Sequence, residues 1–352
     1  MNNSLENQWF EYIDSLALKK KKEQAVKNYV HKILSRDGVV IIDIKHLAGL
    51  IGIDDEVLDK MIVHPERYYR NFSIPKRKGG VRELSAPYPT LMKVQRWIYQ
   101  NLLLPQTSFP DSVQGFILGK SILGNASPHL GKPYVLKMDI EDFFPSITIN
   151  RVISVFRSIG YHRRLSYALA ALCCCNGALP QGAPTSPILS NIIAKRIDKR
   201  IIGFANKVGL TYTRYADDLT LSGEEIKLSH IRFIEKIIRE EGFKPNPEKT
   251  QLLGPKVKKV ITGVSISSGK ATIPRNMKRK IRQEVFYIQK FGLVGHMRHE
   301  KIRDILFPIR LQGRFAYWKS VEPDNNRLND VFHSLQDEIH NPRNKWWARF
   351  KF

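Results

Sequence analysis

Tyr215-Ala216-Asp217-Asp218 sets two adjacent carboxylates inside a run that otherwise reads as a β-strand pair, Leu210 to Leu221. Strands disfavour aspartate, and neighbouring carboxylates repel each other, so a fold that keeps this pair must place a cation beside it. A third acid, Asp139, lies upstream in Met138-Asp139-Ile140-Glu141-Asp142-Phe143-Phe144, at the end of a strand-like run that starts at Tyr134. Two strands offering carboxylates side by side can hold a pair of divalent ions about 3.5–4 Å apart, the arrangement that drives in-line phosphoryl transfer. Taken alone, the tetrapeptide is explained equally well by a β-hairpin whose turn happens to be Asp-Asp.

The charge points to a polyanionic partner. Lys and Arg number 57 against 33 Asp and Glu, a net +24 with a pI near 9.9. The basic residues are spread along the chain, which suits nucleic acid better than a membrane surface. A hydrophobic content of 42% over 352 residues exceeds what ribosomal or histone-like chains carry and supports a folded enzyme. That length allows about two or three subdomains. The sequence shows no secretory signal and no apolar run of about 18 residues, so no membrane association is expected. Cys173-Cys174-Cys175 fits neither a zinc site nor a disulfide framework. In an Ala/Leu-rich stretch these thiols read as small buried hydrophobes, and a cytoplasmic, reducing location follows.

Four regions are expected. Residues 1–60 read as helical, with Trp9, Tyr12, Ile13 and Leu16 at helical spacing and a basic run Lys19-Lys20-Lys21-Lys22 as a solvated face or a phosphate contact. Residues 61–135 are rich in Gly and Pro. Within them Ile74 to Leu84 forms a hairpin turning at Gly79-Gly80, and Lys76 and Arg82 on its arms suit gripping a triphosphate, although basic hairpins are common. Residues 136–268 alternate strands and helices. Ser186 caps a long helix with Pro187 at its first position, and Leu189, Ile193, Ile197 and Ile201 make its apolar stripe. Residues 269–352 are helical and basic. Lys278, Arg279, Lys280 and Arg282 surround apolar Ile281, and Arg343, Lys345 and Arg349 interleave with Trp346 and Trp347, as core anchors or as an RNA-tracking surface.

Asp139 on its strand, the loop Leu179-Pro180-Gln181-Gly182-Ala183-Pro184-Thr185-Ser186-Pro187, and the Asp217-Asp218 hairpin occur in an order and spacing that resemble the palm of reverse transcriptases, over roughly residues 66 to 270. The resemblance implies an α+β right-hand polymerase fold: fingers at 61–135, a palm with an antiparallel sheet and helices at 136–268, and a helical thumb at 269–352. It further implies RNA-directed DNA synthesis from dNTPs with two Mg²⁺ ions. Asp139 and Asp217 would hold both ions, Asp218 would be a weaker or outer ligand, and Ile140 would offer its backbone carbonyl. Phe144 matches the aromatic position that lies under the incoming sugar and leaves no room for a 2′-OH; ordinary core packing is its alternative, since only one of Phe143 and Phe144 can face the site. Gln181 and Gly182 match the loop near the nucleotide, and Lys76 and Arg82 the fingers residues on the phosphates.

Two further details resemble the retron group. Asn125-Ala126-Ser127-Pro128-His129 fits its NAxxH motif, and Ile261-Thr262-Gly263 stands where the group carries Val-Thr-Gly, departing only by Ile for Val. His129 alone reads as a hydrogen-bonded loop residue. The group's properties imply a cognate structured non-coding RNA (msr–msd) as partner and branched RNA–DNA, msDNA, as product, primed from a guanosine 2′-hydroxyl. They also imply a role in anti-phage defence beside a separate effector protein. RNA recognition would fall to the basic region after about residue 255, through Lys278, Arg279, Lys280, Arg282, Arg343, Lys345 and Arg349. The alternatives are another small bacterial reverse transcriptase, of group II intron or diversity-generating type, and an RNA/DNA-bound scaffold that restrains a toxic effector.

Overall fold

Strand β3, Tyr134–Glu141, is the centre of the molecule: buried along most of its length, it pairs antiparallel with three other strands. The structure is a computed structural model and describes residues 2–76, 79–325 and 336. In chain order its elements are helices α1 (Asn2–Ser15), α2 (Lys20–Leu34), α3 (Ile44–Ile51) and α4 (Asp55–Val63), then the hairpin β1 (Tyr69–Pro75) and β2 (Val81–Pro87). Helices α5 (Pro89–Ile98) and α6 (Ile122–Ala126) lead into β3, followed by α7 (Ile149–Ile159), α8 (Arg163–Cys173) and α9 (Ser186–Lys207). The strands β4 (Thr211–Tyr215) and β5 (Asp218–Gly223), helix α10 (Leu228–Glu240), and short strands β6 (Lys244–Pro245) and β7 (Gln251–Leu253) complete the sheet region. A small hairpin, β8 (Val260–Ile261) and β9 (Val264–Ser265), precedes α11 (Arg275–His299) and α12 (Phe307–Val321).

The main sheet runs β4-β5-β3-β6, with β7 also paired to β3, and every ladder is antiparallel. Register places Asp139 opposite Asp218 and Tyr215 opposite Asp218, so the three acids meet at one end of the sheet. Helix α9 packs on β4 and α10 on β6, and α7 joins α8 to α9. The apolar stripe of α9 is as expected, with Leu189, Ile197 and Ile201 buried and Ile193 half-buried. Its start differs by one residue: Thr185 is the N-cap and Ser186 is already helical, with its hydroxyl buried and without a hydrogen-bond partner among the described residues. Proline within the first turn still explains the start, since its missing N–H has no helical partner there.

One core joins α1–α4 to the sheet and its helices, from Ile13 to Phe243. A second core contains β8, β9, α11 and α12, together with Ala126 and Val135. Cys173, Cys174 and Cys175 are buried and free, and burial pushes the Cys173 thiol up to about 12, as expected of inert core residues. Among the described residues no helix is long and apolar enough to cross a membrane. Arg343, Lys345, Trp346, Trp347 and Arg349 lie outside the described residues.

Candidate active site

The β4–β5 connection is a tight turn at Ala216-Asp217. Ala216 adopts φ 58, a left-handed conformation that costs an L-residue energy and must be held by its surroundings. Arg214 holds it. Fully buried, the guanidinium donates from Nη1 to the Ala216 carbonyl at 3.0 Å and to Asn191 Oδ1 at 3.0 Å. Its other edge clasps Asp198 of α9, with Nε to Oδ1 and Nη2 to Oδ2 both at 2.7 Å. Tyr212 donates to the same carboxylate at 2.8 Å. Gly115 supports the turn from the far side, where a Cβ would lie 2.4 Å from the Ala216 nitrogen. Asn191 closes the circuit by donating to the Gly115 carbonyl at 2.8 Å.

On this base sit the carboxylates. Ile140 donates its N–H to the Asp217 carbonyl at 3.1 Å, and its register partner Pro245 has no N–H to return to the Ile140 carbonyl. Burial, then the charges of Asp218 and Asp139, push the Asp217 carboxyl up to about 6. The protein packed around Asp218, and then Asp139, move its carboxyl in the same direction although its surface is open to solvent. Repulsion of this kind marks a place that lacks positive charge.

Part of that charge comes from a residue the sequence reading passed over. Lys249 places its ammonium 2.9 Å from both oxygens of Asp139. Its partial burial disfavours the charge, but Asp139, with Asp217 and Asp218 beyond, outweighs this and holds the lysine above its usual range. Asn246 delivers it: the Asn246 N–H bonds the Asp139 carbonyl at 2.8 Å, and its Oδ1 accepts from the Glu248 and Lys249 amides at 3.1 and 3.3 Å. Among the described residues no three His, Cys, Asp or Glu side chains already converge as a metal cage. The donor set nonetheless fits a hard divalent cation: three oxygen-donor acids at one sheet end, two of them electrostatically strained, with an ammonium standing among them.

Phe143 and Phe144 differ in burial. Phe143 is 3% exposed and packs on Phe243 at 5.6 Å, whereas Phe144 is half-buried against the core edge, 6.0 Å from Phe116. Gln181 and Gly182 lie against the β1–β2 hairpin: the Gln181 carbonyl accepts from the Ser85 N–H at 2.8 Å. Gly182 is required there, because at φ +126 a Cβ would lie 2.9 Å from the Ser85 carbonyl oxygen. Lys76 and Arg82 are exposed on the β1–β2 hairpin, where the Lys76 N–H bonds the Gly80 carbonyl across the turn; Arg77 and Lys78 are outside the described residues. The basic stretch of α11 divides. Lys278 pairs with Glu322 at 2.6 Å, Lys280 and Glu284 line one groove, and Arg279 and Arg282 line another together with Lys278, Arg275, Phe286 and Tyr287.

His129 is wholly buried between β4 and β5. Its Nε2 lies 2.8 Å from Thr213 Oγ1 on β4 and its Nδ1 2.6 Å from Ser222 Oγ on β5. Thr213 gives its only hydroxyl proton to the Asn125 carbonyl at 3.2 Å, so it accepts from Nε2–H, and Nδ1 accepts from Ser222. The imidazole is therefore neutral, and burial holds its pKa near 4 against an ordinary 6.5. Because the folded value is the lower one, the unfolded chain takes up this proton first. The His129 contribution to stability is full above pH 6.5 and falls by about 3 kcal/mol by pH 4. His129→Gln should remove that share of acid sensitivity in urea unfolding at pH 7.5 and 4.5. An identical acid loss in wild type and variant would show that His129 does not carry it.

A reverse transcriptase (RNA-dependent DNA polymerase) family profile matches residues 74–266. The chain is 41% identical over 265 residues to the retron Ec86 reverse transcriptase of Escherichia coli, covering 74% of this chain and 82% of that one. It is 37% identical over 306 residues to the retron Mx65 reverse transcriptase of Myxococcus xanthus, covering 79% and 68%. With the retron Mx162 reverse transcriptase of the same organism it shares 33% identity over 278 residues, 68% of this chain and 57% of that one.

Proposed function

This chain belongs to the retron reverse transcriptases and is an RNA-directed DNA polymerase with the right-hand fold, and from that premise we propose how its own residues serve the reaction. A divalent metal, deoxynucleoside triphosphates and an RNA template come with the family. We assign the metal as Mg²⁺, held by Asp139, Asp217 and Asp218 with the Ile140 carbonyl. The observation that carries this assignment is the meeting of the three acids at one sheet end, Asp139 in register with Asp218 and Asp217 at the turn. When bound, a cation pair lowers the pKa of the attacking hydroxyl and stabilises charge on the transferred phosphoryl group and the pyrophosphate.

The chain's remaining parts position. Lys76 and Arg82 extend from the fingers hairpin to the triphosphate with charge-assisted hydrogen bonds. The Gln181-Gly182 loop, bonded to Ser85, ties that hairpin to the palm so that triphosphate and carboxylates keep one spacing. Phe144 presents its ring where the sugar lies. The fingers, palm and thumb are assigned to residues 61–135, 136–268 and 269–352. Arg279 and Arg282 contribute to the RNA surface through backbone and 2′-OH contacts. The enzyme copies part of a cognate structured RNA into branched msDNA, primed from a guanosine 2′-hydroxyl, in the cytoplasm and in anti-phage defence with a separate effector.

The nucleotide assignment is tested by Phe144→Ala. On an RNA template, the variant should incorporate ribonucleotides at least about tenfold better relative to dNTPs, because removing the ring relieves a clash with the 2′-OH of the order of pocket-shape discrimination, about 1–3 kcal/mol. Unchanged discrimination would remove Phe144 from the sugar site.

A further inference from the structure

We propose that the Asn125–His129 segment and Thr262 form one polar strut that fixes the C-terminal helical unit to the strand pair carrying Asp217 and Asp218, so that Asn125, His129 and Thr262 are positioning residues for nucleotidyl transfer. The segment belongs to both halves of the molecule. Ala126 is buried in the second core, with Ile122, Leu123 and Leu130 packed against it, among residues of α11 and α12. Its polar atoms point the other way. The Asn125 carbonyl accepts from Thr213, and the His129 ring bonds Thr213 and Ser222, bridging β4 and β5.

The opposite end of the strut is the β8–β9 turn. Thr262 has φ 44 and Gly263 φ 88, the paired positive values of a type I′ turn, which Asn and Gly adopt readily and a β-branched residue does not. Thr262 is held there by its side chain: Asn125 Nδ2 donates to its Oγ1 at 3.3 Å, and that hydroxyl donates to the Ile122 carbonyl at 3.3 Å. The next carbonyl, Gly263, accepts from the Tyr317 hydroxyl of α12 at 3.0 Å. The linkage thus runs from α12 through the turn and the 122–129 segment to both catalytic strands.

Two local costs converge on this one contact. Thr262 carries backbone strain, and Asn125 Oδ1 is buried with no partner among the described residues. An unbonded buried acceptor costs about 1–3 kcal/mol. Strain and an unsatisfied group at one point fit a device that sets geometry better than one that adds stability. Nucleic acid seated against α11 would then reach the carboxylates at a height set by the strut. This inference rests on the assignment of Asp217 and Asp218 as the catalytic acids.

The test pairs Thr262→Val, which keeps shape and loses the hydroxyl, with Thr262→Ser, which keeps the hydroxyl. For each, kcat per titrated active site and the template–primer Kd by fluorescence anisotropy are measured on the full chain. Thr262→Val should lower kcat about tenfold or more, as small misplacements of reacting groups do. Its Kd and the kcat of Thr262→Ser should stay within about twofold of wild type. The double variant Thr262→Val with His129→Gln should lose no more than the worse single one, because both cut the same strut. Wild-type kcat in Thr262→Val, or losses that multiply in the double variant, would overturn the proposal. Activity retained by an Asp217→Asn, Asp218→Asn variant would instead refute the carboxylate assignment, so the two failures are distinguishable.

Discussion

Asp217→Asn combined with Asp218→Asn abolishes DNA synthesis, by more than about a thousandfold, beyond what removing one transition-state hydrogen-bond donor costs. Asparagine is nearly isosteric with aspartate, so the turn, with Ala216 gripped by Arg214, keeps its shape. What disappears is the negative charge that a divalent cation needs. RNA binding should persist, since it depends on basic surfaces elsewhere in a chain of net charge +24. Stability supplies an internal control. Burial raises both carboxyls, with Asp218 and Asp139 adding to it at Asp217 and Asp139 at Asp218, so both favour the fold while protonated, and Asp217 opposes it as pH rises through about 6. Without metal at pH 7.5, the neutral variant should melt at or above the wild-type temperature. A lower Tm would mark the inactivity as misfolding, and retained synthesis would refute the metal assignment.

Arg214→Leu has the largest expected effect on stability. It leaves Asp198 fully buried without its bidentate partner, and breaking a buried pair on one side costs about 3–5 kcal/mol. Against a typical total of about 5–15 kcal/mol, that is a large share of the fold's margin. Replacing both partners, Arg214→Met with Asp198→Leu, should recover much of the stability, because no charge remains stranded. Activity should not return with it, since the Ala216 carbonyl loses its donor and the turn its left-handed hold. Stability and activity would thus separate in the double variant. Full recovery of both would show that the buried pair does not position the acids.

The features that could be read from the sequence are those with local signatures. The Asp-Asp turn announced itself by placing charge in a strand, and the start of α9 by Ser-Pro before an apolar stripe, with its boundary off by one because Thr185 caps in place of Ser186. The missed residues act through distance. Arg214 looks like an ordinary polar strand residue until β4 is seen to turn it against α9. The available signal was Asp198, an acid on the buried face of that helix beside Ile197 and Ile201. Lys249 follows a visible turn at Asn246-Pro247, but nothing local says that the turn aims it at Asp139. Gly182 was expected to let the backbone approach closely, and one close approach it allows is to the Ser85 carbonyl. The pairing of Lys278 with Glu322 was not legible because Glu322 comes from another helix end.

The central claim, that this polymerase joins DNA to its own RNA through the Asp217–Asp218 site, is tested by the nucleic acid bound to the protein in its host. Wild type and the Asp217→Asn, Asp218→Asn variant are purified, and the extracted nucleic acid is treated with debranching enzyme, RNase and DNase. Wild type should yield a branched RNA–DNA species that shifts on debranching, and the variant the RNA alone. RNA without attached DNA on the wild-type protein, or the same branched product on both, would contradict it.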